Sequence, residues 1–354
     1  MSKNNKILII APYQFGELSD CYYWAKYATE QGYSVTYIGY RYCHRQMKER
    51  ECPGVRVIGV HHYNNRVLLG VCFFLRIIWE ILIHKHYNIV VCKFPHVEKL
   101  VKLFPKRNII LDIRTLSVSA NQAARKQADR NTRNVALQFS ACSVISEGVR
   151  NKLGINATIL PLGAECISST KKDFSILKLF YIGTFDNRDL PVFLKGLAMF
   201  NKRYALPVTF DIVGGGNKEV ENAIKEIISL EKLDNVKLHG YMTHDEAQKH
   251  FDNSNVGVCY VPMTEYYEHQ PPTKLYEYLL SGMACIATNT KSNRDVMTDT
   301  FGVLINDDAE SVCNGLYELY NKRNSYVSST IVSSAMQYHW KNIVKDTFLK
   351  MVIE

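Results

Sequence analysis

Residues 271–289, with the sequence PPTKLYEYLLSGMACIATN, contain signals for a turn, a helix, a second turn and a strand. The two prolines block a helix before Thr273, and threonine favours the N-cap position. Leucines then recur at helical spacing until Gly282, which suits the left-handed residue that ends a helix. The apolar run 284–287 has strand length. This stretch therefore predicts a helix followed closely by a buried strand.

Two ionisable residues lie in the first turns of that helix. Lys274 and Glu277 are three positions apart and so share a face. Because a helix N-terminus attracts anions and lysine adds a full charge, a phosphate or diphosphate could bind there, with Glu277 bonding a hydroxyl group of the same ligand. Spacing alone favours another interpretation, an exposed ion pair that contributes about 0.2–0.5 kcal/mol.

The same alternation of apolar strand and amphipathic helix runs along the whole chain. The predicted strands are 6–11, 35–38, 88–92, 109–113, 143–146, 177–182, 208–213, 236–239, 256–260, 284–287 and 303–305. The polar stretch 168–175 separates two such series and is predicted to be a linker. The alternation predicts an α/β protein with two doubly wound parallel-sheet domains.

Ligands of doubly wound sheets bind at the carboxyl ends of the strands. Gly16 follows the first strand, and three glycines at 214–216 follow another, so backbone N–H groups could approach a ligand at either place. The residue pattern favours an ordinary turn at Gly16, and 214–216 could also be a flexible turn. The first loop lacks GxGxxG, which argues against a dinucleotide site. Asp112 and Arg114 end another strand, where they could meet a substrate or pair with each other.

Composition limits the environment and the partners. The ten cysteines form no CxxC pair and several lie in apolar runs, which predicts reduced, buried thiols in a cytosolic protein and no zinc site. Residues 1–165 contain 23 Lys and Arg against 11 Asp and Glu. Such a basic half could meet anionic lipid or a phosphate-bearing substrate, or it could simply be a solvated basic surface. No recognised nucleic-acid-binding motif is present, so no nucleic-acid partner is expected.

Residues 66–86 form a long apolar stretch that Arg76 and Glu80 interrupt, so a membrane-spanning helix is not expected. The remaining surface is apolar nearly all round. We expect this helix to be mostly buried; the alternative is that it lies partly in a membrane interface.

Four segments occur in the order and spacing of one family: 180–184 (FYIGT), 210–216 (FDIVGGG), 236–241 (VKLHGY) and 272–288 (PTKLYEYLLSGMACIAT). The sequence resembles a retaining glycosyltransferase of family 4 with the GT-B fold, strongly over about 176–310. The resemblance implies two Rossmann-like domains that face each other across a cleft. They are 1–167 on the acceptor side and 168–334 on the nucleotide-sugar side. The segment from about 335 to 354 resembles the closing helix that packs back on the first domain.

The resemblance also implies roles for individual residues. Glu277 matches the glutamate that typically binds the donor ribose, and Lys274 and Arg188 match basic residues near the donor diphosphate. Gly16 falls in the loop that usually approaches the donor phosphates. The other expected donor contacts, including a loop near the base at 241–242, are Thr273, Leu275, Gly183, Gly214, Gly215, Tyr241 and Met242.

One family position is not matched. The first glutamate of the family's pair should lie eight residues before Glu277, which is the position of His269, whereas Glu268 is one residue earlier. Either Glu268 reaches the sugar through a loop shift, or His269 or a backbone group replaces it. The predicted catalytic residues are therefore Arg188, Lys274, Glu268 and His269.

The departure of a nucleoside diphosphate builds negative charge, which Arg188, Lys274 and the helix start can stabilise without a metal. The chain has no DxD motif, so neither a metal nor a cofactor is expected. The resemblance implies a retaining hexosyltransferase that uses a nucleotide-sugar donor and a glycan or lipid-linked acceptor of surface polysaccharide synthesis. Its expected place is the cytoplasm or the inner membrane face, with peripheral contact through the basic domain. A GT-B epimerase or phosphorylase and a non-catalytic GT-B binding protein remain alternatives.

Overall fold

The computed structural model describes residues 5–42, 50–117 and 121–353. The chain divides into two compact units. The first unit consists of Met1–Leu162 together with Trp340–Glu354, and the second consists of Gly163–His339. The boundary predicted from the sequence, between residues 167 and 168, lies a few residues further along the chain.

The first unit is built on a sheet of seven strands, all of whose neighbouring pairs run parallel. The strands are β1 (Lys6–Ile10), β2 (Ser34–Arg41), β3 (Val55–His61), β4 (Asn88–Cys92), β5 (Asn108–Ile113), β6 (Ala141–Val144) and β7 (Thr158–Ile159). Their spatial order is β3-β2-β1-β4-β5-β6-β7. The order reverses between β1 and β4, as in a doubly wound fold. The apolar run of β1 is buried on both faces because helices cover the sheet.

Five helices connect these strands: α1 (Ser19–Glu30), α2 (Arg66–His84), α3 (Lys99–Leu103), α4 (Gln122–Ala136) and α5 (Glu147–Leu153). Several of them begin at side-chain caps that the sequence contains. Asn65 caps α2, Asn121 caps α4 and Ser146 caps α5 by accepting hydrogen bonds from backbone N–H groups of the first turn. Local chemistry therefore determines where these helices start.

The second unit repeats the architecture with a six-stranded parallel sheet in the order β10-β9-β8-β11-β12-β13. These strands are β8 (Leu177–Thr184), β9 (Val208–Gly215), β10 (Val236–Leu238), β11 (Val256–Cys259), β12 (Ala284–Thr288) and β13 (Gly302–Ile305). The helices are α6 (Leu190–Tyr204), α7 (Lys218–Leu230), α8 (His244–Asn253), α9 (Thr273–Leu280), α10 (Lys291–Arg294), α11 (Ala309–Lys322) and α12 (Ser328–Ala335). The predicted two-domain, doubly wound α/β fold is confirmed.

The chain returns to the first unit through α13 (Trp340–Ile343) and α14 (Leu349–Ile353). The indole of Trp340 stacks on Tyr23 at 5.6 Å, and Phe348 stacks on Trp24 at 5.1 Å between ring centroids. The carbonyl of Val352 accepts a hydrogen bond from the Asn108 side chain at 2.9 Å. These contacts attach the returning segment to the core of the first unit.

The expectation that α2 is mostly buried is wrong for one of its two apolar faces. Leu69, Phe73, Ile77 and Ile81 are buried, while Leu75 and the other apolar residues of the outer face are exposed. The physical reason is geometric, because a helix lying on a sheet can bury only the face turned toward that sheet. None of the described residues covers the outer face to any large extent.

The charged end of β5 is paired within its own unit. Arg114 donates two hydrogen bonds of 3.0 Å to the carboxylate of Asp20 and one of 2.7 Å to the carbonyl of Leu160. Asp112 accepts a hydrogen bond of 2.7 Å from the Ser143 hydroxyl, and burial raises the pKa of Asp112 to about 6. Of the two interpretations of this strand end, the observed contacts favour the structural one.

Nine cysteines belong to the described residues, and all nine are free thiols. Six of these are buried: Cys21, Cys92, Cys142, Cys259, Cys285 and Cys313. Cys166 is exposed, so the prediction of buried thiols is wrong at that position, which lies where the chain passes between strands. Cys43 lies outside the described residues.

Candidate functional site

Helix α9 begins one residue earlier than its sequence suggests. Pro272 occupies the N-cap with an extended backbone (φ −77°, ψ 127°), and Thr273 is the first helical residue. The predicted N-cap at Thr273 is therefore wrong, since proline already holds the chain extended before the first turn. The Thr273 side chain is exposed at the helix start and makes no capping bond.

Tyr278 fixes α9 against the sheet. Its hydroxyl accepts a hydrogen bond of 3.1 Å from the backbone N–H of Ile182 in β8, and its ring packs against Gly257 of β11 so closely that a Cβ there would lie 2.2 Å from ring atoms. Because Lys274 is one turn earlier on the same helix face, this anchor directs Lys274 toward the carboxyl end of β8.

Lys274 is a buried ammonium group at that strand end. Only 9% of the residue is exposed, and Nζ lies 3.7 Å from the centroid of the Tyr181 ring. A Cβ placed on Gly183 would lie 3.9 Å from Nζ, so the lysine reaches the backbone at the end of β8. Burial, with repulsion from the nearby charge of Arg188, lowers the pKa of Lys274 to about 7. The exposed-ion-pair interpretation is therefore wrong for Lys274.

Glycines end both β8 and β9 beside this lysine. Gly183 and Gly214 are paired in the sheet register and have φ values of 143° and 144°, a region that other residues rarely adopt. A Cβ on Gly214 would lie 1.9 Å from the carbonyl oxygen of Gly183. Gly215 continues the strand end opposite Thr184. Glycine at these two strand ends thus allows the two backbones to approach each other more closely than a side chain would permit.

A backbone hydrogen bond joins the loop after β10 to these glycines. The N–H of Gly214 donates to the carbonyl of Gly240 at 2.8 Å, and Gly240 has a positive φ of 73°. Tyr241 follows with 83% of its surface exposed, and Met242 is partly buried. The predicted base-binding loop therefore lies beside the predicted phosphate-binding glycines.

Arg188 lies in a strained loop between β8 and α6. Its neighbours Asn187 and Asp189 both have positive φ values, 58° and 49°. The guanidinium donates a hydrogen bond to the hydroxyl of Tyr267, and its Cζ lies 4.7 Å from the Tyr267 ring centroid. The Tyr267 hydroxyl in turn donates to the carbonyl of Asn187 at 3.1 Å. Tyr267 therefore positions Arg188, a role that sequence reasoning missed.

Glu268 is held by the neighbouring helix α10. Its carboxylate accepts hydrogen bonds of 3.0 Å from the backbone N–H of Lys291 and from the Arg294 guanidinium. Its backbone carbonyl accepts two further bonds, of 3.0 and 3.1 Å, from Ser292. The adjacent His269 is partly buried. Of the two candidates to replace the family's first glutamate, Glu268 is thus the one that binds and stabilises the start of α10.

The remaining predicted donor contacts differ in accessibility. Glu277 is partly buried on α9 and its charge acts on Lys274. Leu275 is completely buried, and its backbone N–H donates to the carbonyl of Pro272 at 3.2 Å. Gly16, with φ 89°, belongs to the first unit, where a Cβ would lie 2.6 Å from the Arg50 side chain. The second unit therefore brings together Lys274, Arg188, Glu277 and the glycines, while Leu275 belongs to the core.

One group of side chains has the composition of a metal site. One ligand atom from each of Asp211, His239 and His250 lies within 4.8 Å of the others. Asp211 and His239 already share a hydrogen bond of 2.5 Å, which accounts for two of the three without an ion. The group lies on β9, after β10 and on α8.

Comparison with known proteins relates the second unit to a family. The family model described as "Glycosyl transferases group 1" matches residues 177–322. The match lies within the second unit, which is therefore similar to the group 1 glycosyltransferases. No curated protein sequence matches the chain.

Solved structures resemble this chain over both of its units. A glycosyltransferase from Rickettsia africae has a TM-score of 0.76 at 11% identity and covers 99% of this chain and 98% of its own. Sucrose-phosphate synthase from Thermosynechococcus elongatus has a TM-score of 0.72 at 13% identity and covers 97% of each chain. HepE from Anabaena in complex with UDP has a TM-score of 0.70 at 13% identity and covers 98% of this chain and 99% of its own. These similarities confirm the GT-B fold that the resemblance implied.

Proposed function

We propose that this chain is a group 1 glycosyltransferase that moves a hexosyl group from a nucleoside-diphosphate sugar to a saccharide or lipid-linked acceptor. The observation that carries the proposal is the burial of Lys274 at the start of α9, within the electrostatic influence of Arg188. The ammonium of Lys274 is buried at the start of α9, and the charge of Arg188 lowers its pKa further. A buried ammonium beside a second cation is unfavourable unless a negative ligand neutralises it.

A diphosphate leaving group supplies that negative charge. Lys274, Arg188 and the first N–H groups of α9 would stabilise it as the bond to the sugar breaks, which is electrostatic stabilisation of a developing charge. Glu277 would bond the ribose, and the loop at Tyr241 and Met242 would hold the base. HepE binds UDP, which makes uridine diphosphate our first candidate for the nucleotide.

Several finer features belong to the same proposal. We infer retention of the anomeric configuration and catalysis without a metal, since Lys274 and Arg188 can stabilise the leaving group alone. Because Glu268 is held by α10, we assign contact with the sugar to His269 or to a nearby backbone group. We place the reaction in the cytoplasm, at the inner face of a membrane, where surface polysaccharides are assembled.

Nucleotide binding is the first test. We would measure thermal melting with UDP, GDP, ADP, CMP and dTDP, each with and without magnesium. A ligand at a hundred times its Kd stabilises by about 2.7 kcal/mol, which raises the Tm by at most several degrees in a chain of this size. We expect one nucleotide to raise the Tm independently of magnesium, and Lys274→Met to abolish the rise. Lys195→Met, which removes an exposed lysine on α6, is the matched control.

Turnover distinguishes the alternatives. With the nucleotide known, its sugar conjugates are incubated with and without saccharide acceptors, and the released nucleotide and the anomeric configuration of the product are measured. Acceptor-dependent release with a retained anomeric centre is the expected result. A changed sugar nucleotide without an acceptor would indicate an epimerase, and binding without turnover a non-catalytic binding protein. No Tm rise with any nucleotide would refute the site built on Lys274 and Arg188.

A further inference from the structure

The outer face of α2 is an exposed apolar surface without parallel elsewhere on the described helices. Its residues, which we call the α2 apolar face, each expose between 46% and 76% of their surface: Val67, Leu68, Val71, Leu75, Trp79, Leu82 and Ile83. At 100° per residue they occupy one continuous side of a 19-residue helix. Contiguous apolar patches of this kind mark contact with a protein, a ligand or a membrane.

The opposite face of α2 is held firmly in the first unit. Phe73 packs against Tyr40 and Phe94, with ring centroids 4.8 and 5.3 Å apart. The carboxylate of Glu80 is completely buried and is bonded by the Arg56 guanidinium and the His86 ring. The helix is long and apolar enough to cross a membrane. Crossing, however, would separate Glu80 from its partners and expose it to lipid, so α2 can meet a bilayer only side-on.

The charges around α2 are those that an anionic surface attracts. Residues 61–110 contain eight Lys and Arg and two Asp and Glu, and one of these two acids is the buried Glu80. Arg66 and Lys85 are exposed at the two ends of the helix. Beyond its C-terminal end, the N–H of Asn108 donates to the carbonyl of Tyr87 at 3.0 Å and thus joins the segment before β4 to the one before β5.

The segments before β4 and β5 also expose apolar and basic residues, next to the C-terminal end of α2. Tyr87 and Leu103 expose 40% and 53% of their surfaces. They line a shallow depression together with Lys106 and Arg107. Exposed aliphatic and aromatic groups next to lysine and arginine match the interface of a bilayer, where apolar side chains enter the acyl region and cations meet lipid phosphates.

We propose that the α2 apolar face docks this protein on a membrane rich in anionic phospholipid, with Trp79 at the level of the headgroups. The proposal concerns the surface and not the transfer chemistry, so it can hold or fail independently of the nucleotide site. Charge complementarity favours lipid over a second copy of this chain, because two copies joined through this basic region would bring like charges together.

Tryptophan fluorescence can follow this one helix. The chain contains three tryptophans, of which Trp24 and Trp340 are buried in the core and Trp79 exposes 58% of its surface. Vesicles of phosphatidylcholine with 30% phosphatidylglycerol are compared with phosphatidylcholine alone, with and without brominated acyl chains. We expect anionic vesicles to bind at least tenfold more tightly, brominated lipid to quench the emission, and 0.5 M salt to weaken binding.

Matched variants distinguish vesicle binding through the α2 apolar face from nonspecific hydrophobic binding by other exposed residues. Leu75→Glu with Leu82→Glu places charge on exposed positions of α2, so the fold should survive and circular dichroism should stay unchanged. Leu137→Glu with Leu230→Glu, at leucines that are 60% and 68% exposed elsewhere, is the control. We expect the α2 pair to weaken vesicle binding at least tenfold and the control pair less than twofold. Unchanged binding in the α2 pair would overturn the proposal. The proposal would also be overturned if the wild-type protein did not bind vesicles, whether it is a monomer or dimerises through this face.

Discussion

Replacing Lys274 with methionine should stabilise the protein and abolish nucleotide binding at the same time. The side chain of methionine fills the space of the lysine stem beside Tyr181, while the ammonium that burial disfavours is removed. A residue kept for packing would show the opposite, since its loss would destabilise the fold. The variant therefore separates a structural role from a binding role.

The size of the expected gain in stability follows from the pKa of Lys274. Burial lowers it from 10.5 to about 7, and each pKa unit corresponds to 1.36 kcal/mol. At pH 6 the ammonium therefore costs the folded state up to about 5 kcal/mol. Partial relaxation of the lysine toward water will reduce this figure, so we expect a gain of about 1–3 kcal/mol in the methionine variant at pH 6.

The low pKa of Lys274 also predicts how the stability of the wild type changes with pH. Above pH 7 the folded state has lost the Lys274 proton while the unfolded state retains it up to about pH 10, so the wild type gains stability as pH rises through this window. The advantage of methionine should accordingly shrink by about 1.4 kcal/mol per pH unit above 7.

Thermal unfolding followed by circular dichroism at pH 6, 7.5 and 9 is the assay, because all three tryptophans lie in the first unit and cannot report on Lys274. Lys195→Met should show neither the gain nor the pH trend. Isothermal titration with the identified nucleotide should show at least a hundredfold weaker binding in Lys274→Met. A variant that is less stable than wild type at pH 6 and binds the nucleotide normally would refute the reasoning.

Three further substitutions, and one glycine control elsewhere in the chain, test the surroundings of this lysine. Gly214→Ala should destabilise the fold by about 3 kcal/mol or more in thermal melts, because its Cβ would meet the Gly183 carbonyl at 1.9 Å. The control is Gly70→Ala: this glycine has open space around it within a helix, so the substitution should stabilise the fold by about 0.5–1 kcal/mol. Tyr267→Phe should weaken nucleotide binding about threefold to tenfold by titration, since Arg188 loses a partner worth about 1 kcal/mol. Glu268→Gln should lower stability by about 1–2 kcal/mol through α10 and leave kcat within a few fold, and a thousandfold loss of kcat would return Glu268 to the catalytic residues.

The parts of the fold that the sequence predicts best are those decided by neighbouring residues. Helix α9 and strand β12 were predictable because prolines, leucine spacing and Gly282 act within a few positions of each other. The cap was misplaced by one residue, since a proline and a following threonine both suit a helix start.

The parts that the sequence could not predict depend on contacts between distant segments. Whether Lys274 is exposed or buried depends on Tyr278 binding β8, and no spacing rule contains that bond. Tyr267 has no periodic signal in its loop, and its role appears only where Arg188 lies against it. Helix α2 has two apolar faces in sequence, and nothing local decides which of them the sheet will cover.

The return of the chain at Trp340 makes the second unit an insertion within the first. Residues 163–339 form one continuous segment, whereas the first unit needs residues from both sides of that segment. During synthesis the second unit can emerge complete while β1 and α1 still lack the rings of Trp340 and Phe348 that cover Tyr23 and Trp24. The second unit can thus be complete before the first, and a chain break anywhere in the insertion would leave the two parts of the first unit connected only through packing contacts.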